Sequence, residues 1–325
     1  MSVLVTGAAG FIGYFTSKAL LETGRQVIGV DNLNDYYDVS LKQSRLNNLQ
    51  GLDGFRFIQI DIADRDSIYT LFQANPDISE IIHLAAQPGV RYSLINPYAY
   101  TRSNIEGHLV LLDSARQLNG LKHFVYASSS SVYGDTSEVP FSTKNPTDSP
   151  VSLYAATKKS MEMMSHAYAH LYRMPLSGLR FFTVYGPWGR PDMAYYSFTR
   201  KILAGEAIPV FNNGQMRRDF TYIDDIVTGV LSCLDKPPSD DGAPPYRLYN
   251  IGNNKSENLM DFIAEIEKAL GKKAEIDFQP MQAGDVKDTF ANIDGMQTDF
   301  GFKPTIGIDV GIPRFVEWYK SFHCI

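Results

Sequence analysis

The sequence predicts an α/β protein built on a doubly wound parallel sheet, with a smaller C-terminal domain interleaved with it. Short apolar runs alternate with helix-like segments through the N-terminal half of the chain. A glycine-rich turn, TGAAGFIG, follows the first of these runs directly. Runs that are apolar throughout are typical of strands covered on both faces, and their alternation with helices indicates parallel pairing.

Six strands are predicted in order along the chain, each rich in β-branched or aromatic residues. They are SVLVTG (2–7), QVIGVD (26–31), FRFIQID (55–61), EIIHLAA (80–86), KHFVYAS (122–128) and LSGLRFFTVYG (176–186). Helix-like segments separate them, among them 12–23, 66–74, 104–118 and 153–172. This order of elements is that of a Rossmann-type fold.

Composition and charge exclude several classes of protein. The chain has 325 residues with a formal net charge of −6 and no run of Lys or Arg, so we expect no nucleic-acid partner. No stretch approaches the roughly 18 apolar residues of a membrane span, and the opening MSVLVTG lacks the features of a signal peptide. Cys233 and Cys324 show no metal-binding spacing, and neither do the histidines and acids. We therefore expect a cytoplasmic protein with no metal ion and no membrane contact.

The glycine-rich turn has the spacing of a dinucleotide-binding site. Gly7 permits the tight turn, Gly10 lets the backbone approach a pyrophosphate, and Gly13 allows close packing of helix on strand. Asp31 ends the second predicted strand, 18 residues after Gly13, where a carboxylate can accept both ribose hydroxyls and repel a 2′-phosphate. No arginine follows it closely, which favours NAD over NADP. The alternative is that Asp31 only caps a turn.

Other residues at the strand ends are further candidates for cofactor contact. Asp61 and Ile62 end the third strand, where an adenine ring could be held, and Ala85 and Ala86 are small enough to let a dinucleotide lie across the fourth. Asn104 opens a predicted helix, and two roles stay open for it, an N-cap or a cofactor contact.

A tyrosine and a lysine in SLYAATKKS point to chemistry. Tyr154 and Lys158 are four residues apart on a predicted helix and therefore share a face. A nearby ammonium stabilises a phenolate and lowers its pKa from about 10, which makes Tyr154 a candidate general base for an alcohol proton. Such a pair alone is mostly structural, and the cofactor signature before it is what favours catalysis.

At this point the chain resembles a known family. TGAAGFIG, HLAAQ, SSSSVYG, YAATK and RDFTYIDD, in this order, are similar to the extended short-chain dehydrogenase/reductase superfamily, in its nucleotide-sugar epimerase branch. The resemblance implies a catalytic trio of Ser129, Tyr154 and Lys158, a UDP-sugar substrate and a homodimer. It also implies tightly bound NAD that is regenerated in each turnover. The cofactor contacts predicted on this basis are Gly7, Gly10, Phe11, Ile12, Gly13, Asp31, Asn32, Asp61, Ile62, Leu84, Ala85, Ala86, Asn104, Tyr154, Lys158 and Phe181.

The end of the fifth strand discriminates among the reactions of this family. Related dehydratases carry an Asp-Glu pair just before VYG and related decarboxylases carry a Glu, whereas this chain has Ser130 and Ser131. The resemblance therefore implies a 4-epimerase, in which Tyr154 takes the C4 hydroxyl proton and the sugar passes through a 4-keto intermediate. PVSLYAATKK and VYGPWGRPDMA are most similar to UDP-glucuronate 4-epimerases. Ser129, Ser130, Ser131 and Thr183 are then predicted to surround the C6 carboxylate and to disfavour decarboxylation.

The resemblance also implies residues that hold UDP and the sugar. Arg218, in RRDFTYIDD, matches the family's diphosphate-binding arginine, and Arg190, in PWGRPDMA, is a second candidate. A solvated structural role is the alternative for both. Arg91, in GVRYS, is a candidate for sugar or phosphate contact. In MQAGD, Gln282 stands where the galactose enzymes carry an arginine, so Asp285 is only a candidate ribose partner.

Two other functions remain open at this stage. Thr289 is at the position where the family gates the C2 substituent, and it is small enough to leave UDP-glucose or a UDP-N-acetylhexosamine as alternative substrates. A non-catalytic NAD-sensing regulator is the alternative outside enzymes, against which the complete Ser–Tyr–Lys trio argues. Surface polysaccharide synthesis is the expected biological context.

The predicted domain division follows from a change in composition after residue 186, where PWGRPDMAYY is rich in proline, glycine and aromatic residues. We expect an NAD-binding Rossmann domain at 1–181 with a returning segment near 222–251. Residues 182–221 and 252–325 are expected to form the UDP-sugar-binding domain.

Overall fold

A seven-stranded parallel sheet forms the centre of the computed structural model, which describes residues 1–136, 138–282 and 286–325. Its strands are β1 (Ser2–Thr6), β2 (Gln26–Asp31), β3 (Phe55–Gln59), β4 (Ile78–His83), β5 (His123–Ser129), β6 (Leu176–Phe181) and β11 (Tyr246–Ile251). They lie in the order β11-β6-β5-β4-β1-β2-β3, and each neighbouring pair is parallel. The predicted Rossmann-type sheet is confirmed, and β11 lies inside the segment predicted to return to it.

Helices cover both faces of this sheet. They are α1 (Phe11–Glu22), α2 (Val39–Gln50), α3 (Arg65–Ala74), α4 (Tyr92–Ile95), α5 (Pro97–Tyr100), α6 (Gly107–Ala115), α7 (Leu153–Tyr172), α8 (Ala194–Ala204), α9 (Ile223–Leu234), α10 (Leu259–Leu270), α11 (Asp294–Phe300) and α12 (Ile308–Phe322). One core cluster packs α3, α6 and α7 on one face, through Ile68, Leu111 and Met161. The other packs α1 and α9 on the opposite face and runs on to Phe262 of α10 and Phe315 of α12. None of these helices combines the length and the apolar composition needed to cross a membrane.

Short strands build the C-terminal part against the second of these faces. They are β7 (Thr183–Tyr185), β8 (Ile208–Val210), β9 (Arg217–Arg218), β10 (Phe220–Tyr222), β12 (Glu257–Asn258) and β13 (Ile276–Phe278). They pair two by two, β7 with β10, β9 with β12 and β8 with β13. The buried carboxylate of Asp219 joins three crossing segments, accepting hydrogen bonds from the amides of Asn253 and Ala291 and the hydroxyl of Thr221 at 2.6–3.1 Å.

Two predicted elements differ from the structure. The strand predicted at 176–186 is divided at Phe182, because the chain there leaves β11 and pairs with β10 instead. The helix predicted to open at Asn104 begins earlier, since a π-helical turn at Thr101–Glu106 connects α5 to α6 without a break. The N-cap role considered for Asn104 is therefore wrong.

Candidate functional site

A cleft opens at the carboxyl ends of β1, β2, β4 and β5, the edge at which doubly wound sheets bind ligands. Most of the residues singled out in the sequence come together in its walls. Those that line it are Gly7, Gly10, Phe11, Ile12, Gly13, Asp31, Asn32, Ile62, Leu84, Ala85, Ala86, Ser129, Tyr154, Lys158, Phe181 and Arg190.

The glycine-rich turn is packed so closely that side chains have no room. A Cβ added to Gly7, whose φ is +73°, would lie 2.7 Å from the amide nitrogen of Ala85, and one on Gly13 would lie 2.0 Å from the carbonyl oxygen of Gly7. Gly10 caps α1 without any side-chain hydrogen bond, so the first amides of the helix are left to a ligand. Backbone donors at a helix N-terminus fit a pyrophosphate.

Asp31 takes the turn-capping role that was the alternative for it, and it also lines the cleft. It is 8% exposed and lies at the end of β2. Its Oδ1 accepts the amide of Leu33 at 2.9 Å and its Oδ2 accepts the amide of Ala9 at 3.2 Å. The contact of this carboxylate with a ribose stays a prediction.

Two cations beside Asp31 were missed by the sequence analysis. Lys42 and Arg45 come from α2, and both are buried. Lys42 lines the cleft, while the guanidinium of Arg45 donates to the carbonyl oxygen of Ala9 in the glycine-rich turn at 2.8 Å. The signal was present as two basic residues three apart among the apolar positions of VSLKQSRLNNLQ, but nothing local shows which way that helix faces.

The four serines that end β5 have different surroundings. Ser128 is buried and donates to Oε1 of Glu162 at 2.6 Å, and that carboxylate is paired on both oxygens with Arg180 at 2.8 Å. Ser129 lines the cleft, and its Oγ accepts the amide of Ser131 at 3.2 Å, which caps the 3₁₀ turn at Ser130–Tyr133. Ser130 and Ser131 lie half-buried in that turn rather than in the cleft wall.

Tyr154 and Lys158 meet Ser129 at the inner end of the cleft. Ser152 caps α7 by accepting the amide of Ala155 at 3.1 Å, which sets where the helix begins. Lys158 donates from Nζ to the carbonyl oxygen of Ala127 at 2.8 Å, and burial lowers its pKa to about 7, opposed by the charge of Glu162.

The pKa of Tyr154 does not behave as the sequence analysis expected. Desolvation raises it, and a hydrogen bond with Ser129 and the charge of Arg190 oppose the rise. Lys158 is turned instead toward the backbone of β5. The residues that favour the phenolate are therefore Ser129 and Arg190.

Arg190 lies at the catalytic end of the cleft, held by a carboxylate. Its Nε and a terminal nitrogen donate to the two oxygens of Asp192 at 3.0 and 2.7 Å. Tyr36, from the loop after β2, donates to the same carboxylate at 3.2 Å. Neither Asp192 nor Tyr36 was singled out in the sequence. Asp192 lies only two residues after Arg190, whereas Tyr36 is distant along the chain from its partner.

Two residues predicted at the cofactor lie behind the cleft wall. Asp61 accepts the amide of Ala63 at 2.9 Å and a donor of Arg102 at 3.3 Å. Asn104 is completely buried and is bonded to both backbone groups of Gln87 at 2.8 and 3.1 Å. It thereby holds the loop after β4 against α7.

The remaining residues predicted to bind substrate, as far as the structure describes them, are not among those that line the cleft. Thr183 opens β7, and its amide donates to the carbonyl oxygen of Asp219 at 3.1 Å. Arg91 stacks over the ring of Phe211 at 4.8 Å, which joins the loop after β4 to the C-terminal part. Arg218 lies on β9 and donates to the carbonyl oxygen of Lys287 at 2.8 Å. Asp285 falls outside the described residues.

A dinucleotide turn joined to a Ser–Tyr–Lys cluster on this sheet defines the short-chain dehydrogenase/reductase class. The chain belongs to the NAD dependent epimerase/dehydratase family, whose model matches residues 3–252. The predicted family, the NAD cofactor and the enzyme class, a nucleotide-sugar 4-epimerase, are thereby confirmed.

Relatives and solved structures agree with this assignment. A probable UDP-glucuronate 4-epimerase of Rhizobium meliloti (strain 1021) is 45% identical, covering 99% of this chain and 97% of the relative. UDP-glucuronate 4-epimerase 2 of Arabidopsis thaliana is 47% identical, covering 99% of this chain and 76% of the relative. The crystal structure of UDP-glucuronic acid 4-epimerase from Bacillus cereus in complex with UDP-glucuronic acid and NAD superposes with a TM-score of 0.91, at 34% identity, over 99% of this chain and all of that chain.

Proposed function

We propose that the protein interconverts UDP-glucuronate and UDP-galacturonate. The observation that carries this proposal is the surroundings of Tyr154, which lines the cleft together with Ser129 and Arg190, the two groups that oppose the rise of its pKa on burial. This arrangement supports a base and a cation acting together at one end of a cleft that fits NAD.

Tyr154 is the base in this proposal. Its phenolate takes the proton of the C4 hydroxyl, and Ser129 donates a hydrogen bond to the same oxygen. NAD, when bound, accepts the hydride from C4 and returns it to the opposite face of the sugar. Lys158 holds α7 against β5 through Ala127 and so fixes the distance between Tyr154 and Ser129.

The strand end supports epimerisation over elimination or decarboxylation. Residues 128–131 are all serine and all described, so this turn supplies hydroxyls and no carboxylate. Glu162, the acid beneath it, is buried and fully engaged by Arg180 and Ser128. No acid at this turn is thus placed to act on C5 or C6.

A uronate is favoured as the sugar because Arg190 lies next to the catalytic tyrosine. A fixed guanidinium forms a bidentate pair with a carboxylate, and this interaction is strongest in a site from which water is excluded. Oxidation at C4 turns a glucuronate into a β-keto acid, which loses carbon dioxide when the C5–C6 bond stands perpendicular to the ketone. Arg190 holds the carboxylate out of that alignment, with the hydroxyl of Ser129 in support, because Ser130, Ser131 and Thr183 do not line the cleft.

The diphosphate is assigned to Arg218 and Arg91, which contact Lys287 and Phe211 of the C-terminal part respectively. The homodimer expected from the family is supported by exposed apolar side chains on α6 and α7. Met163 and Leu171 of α7 are 63% and 66% exposed, whereas Met161 on the same helix is completely buried. Two such helices per subunit would bury these side chains against a second copy.

The test is a comparison of three substrates. Purified protein with NAD is incubated with UDP-glucuronate, UDP-glucose or UDP-N-acetylglucosamine, and products are separated by anion-exchange chromatography and identified by proton NMR. We expect UDP-galacturonate to form with a kcat/KM at least tenfold above that for either neutral sugar. Faster turnover of a neutral sugar would overturn the uronate assignment, and no turnover of any of the three would favour the NAD-sensing regulator.

A further inference from the structure

A buried lysine faces the end of the cleft where Asp31 marks the ribose. Lys42 is 5% exposed and lines the cleft together with Asp31, Asn34 and Tyr37. Its ammonium donates to the carbonyl and side-chain oxygens of Asn34 at 2.7 and 2.8 Å, and it stands 4.9 Å from the centre of the Tyr37 ring. An ammonium has three donors, and these bonds use two of them.

A second cation, Arg45, lies one helical turn further along α2. It is completely buried, and its guanidinium donates to neutral oxygens, those of Ala9, Tyr37 and Trp188. No carboxylate bonded to Arg45 is found among the described residues. Its charge therefore adds to that of Lys42 next to the glycine-rich turn.

Asp31 is the buried acid that acts on Lys42, and it is hydrogen-bonded to Ala9, whose carbonyl oxygen accepts from Arg45. Its charge raises the pKa of Lys42 against the larger effect of burial, and the other acid that acts on Lys42, Asp35, is exposed. Buried charges are stable in proteins when they are paired. Two buried cations against one buried carboxylate leave this end of the cleft electropositive once that carboxylate is neutralised.

We propose that Lys42 makes the ribose end of the cleft a latent phosphate site, and that the Asp31 carboxylate alone gives the protein its preference for NAD over NADP. A 2′-phosphate carries two negative charges and three acceptor oxygens, and a lysine with a spare donor binds it well. Asp31 repels that phosphate and accepts the ribose hydroxyls instead. Lys42 is thus a residue that determines cofactor specificity. The proposal depends on the cofactor and not on which sugar is the substrate.

The experiment measures which nucleotide the full chain retains. Asp31→Asn and Asp31→Ser variants, each with and without Lys42→Met, are exchanged against equal excesses of NAD and NADP and desalted. The bound nucleotides are then released and quantified by chromatography. We expect the NADP-to-NAD ratio to rise at least tenfold over wild type in both single variants and to fall back in both double variants. Lys42→Arg should preserve the rise, and Lys18→Met on exposed α1 surface is the matched control that should leave it unchanged.

Two results from the Asp31 variants would overturn the proposal. One is an unchanged ratio in Asp31 variants whose circular dichroism shows the wild-type fold. The other is an equal rise with and without Lys42. Because Asp31 also accepts hydrogen bonds from two backbone amides, a second measurement uses a protein in which Asp31 is retained. There, Lys42→Met should weaken the competition of excess NADP against NAD at least threefold, and unchanged competition would contradict the proposal.

Discussion

Lys158 donates a hydrogen bond from its Nζ to the carbonyl oxygen of Ala127, 2.8 Å away. Ala127 stands two residues before Ser129 on β5, and Lys158 stands one turn after Tyr154 on α7. The bond therefore connects the strand and the helix that bring the two groups of the reaction together. The bond holds the two elements together, since a buried carbonyl oxygen left without its donor would cost free energy.

Replacing Lys158 by methionine should change how stability depends on pH. Burial lowers the pKa of Lys158 to about 7, whereas the same group in the unfolded chain titrates near 10.5. Between these values the unfolded chain binds a proton that the folded chain has released, so raising the pH from 7 to 9 stabilises the fold through this group. Urea unfolding at pH 7 and pH 9 should show a larger gain, or a smaller loss, for wild type than for Lys158→Met. Identical differences for the two proteins would contradict the assigned pKa.

Replacing Ser129 by alanine should shift the pH profile of the reaction. The hydrogen bond from Ser129 opposes the raised pKa of Tyr154, so its loss raises that pKa further. The acidic limb of log kcat/KM should then move to higher pH, with a loss of roughly 10–100-fold at neutral pH. Ser160→Ala, on the same helix as Tyr154, is the control that should leave the profile in place.

Replacing Tyr154 by phenylalanine should remove the acidic limb of the pH profile and lower kcat by roughly 10²–10⁴-fold.

Replacing Arg190 by methionine should weaken the preference for a uronate. Loss of the guanidinium removes the cation that faces the carboxylate, and we expect kcat/KM for UDP-glucuronate to fall about 100-fold, or about 2.7 kcal/mol. The kcat/KM for UDP-glucose should fall less, because it loses only the effect of Arg190 on the pKa of Tyr154. Steady-state kinetics on both sugars measure the ratio of the two kcat/KM values. Asp192→Asn is the control variant, because it keeps the Arg190 guanidinium. An equal loss of kcat/KM on the two sugars would show that Arg190 does not recognise the carboxylate.

His123 should make the fold sensitive to acid. Its ring is buried between the carbonyl oxygen of Leu234 and the hydroxyl of Ser177, at 3.0 and 2.9 Å, and burial lowers its pKa to about 4. The unfolded chain protonates this ring near pH 6.5, so stability is lost as the pH falls from 6.5 toward 4, by about 1.4 kcal/mol per pH unit. Denaturant unfolding at pH 7 and pH 5 should show a smaller acid loss for His123→Gln than for wild type. The same loss in both would mean that other groups carry it.

Local patterns predicted much of the architecture because they act over a few residues. The helix predicted at 153–172 is observed at Leu153–Tyr172, since Ser152 caps one end of an amphipathic run. The glycine spacing likewise predicted a turn that tolerates no Cβ. Where the pairing partner is distant, prediction failed, as at Phe182, where the chain changes from one sheet to another.

The serine-rich end of β5 shows the same limit inside the site. The residue types predicted hydroxyls in place of acids, and the chain order placed them before the turn. Only the packing of α7 separates their surroundings, since Ser128 meets Glu162 while Ser129 meets Tyr154. Tyr154 and Glu162 are about two turns apart on α7, so successive serines meet different parts of one helix.

The sequence by itself determined the fold class and the dinucleotide turn, because each depends on residue spacing within one or two consecutive elements. The trio of Ser129, Tyr154 and Lys158 stays a prediction that the family resemblance supplied. The tertiary structure decided which charges surround them. Lys42 faces Asp31 because the loop between β2 and α2 turns that helix back onto the strand end, and Arg190 faces Tyr154 from the segment that follows β7. Electrostatic interactions depend on distance and burial in space rather than on separation in sequence, so only the folded chain reveals them.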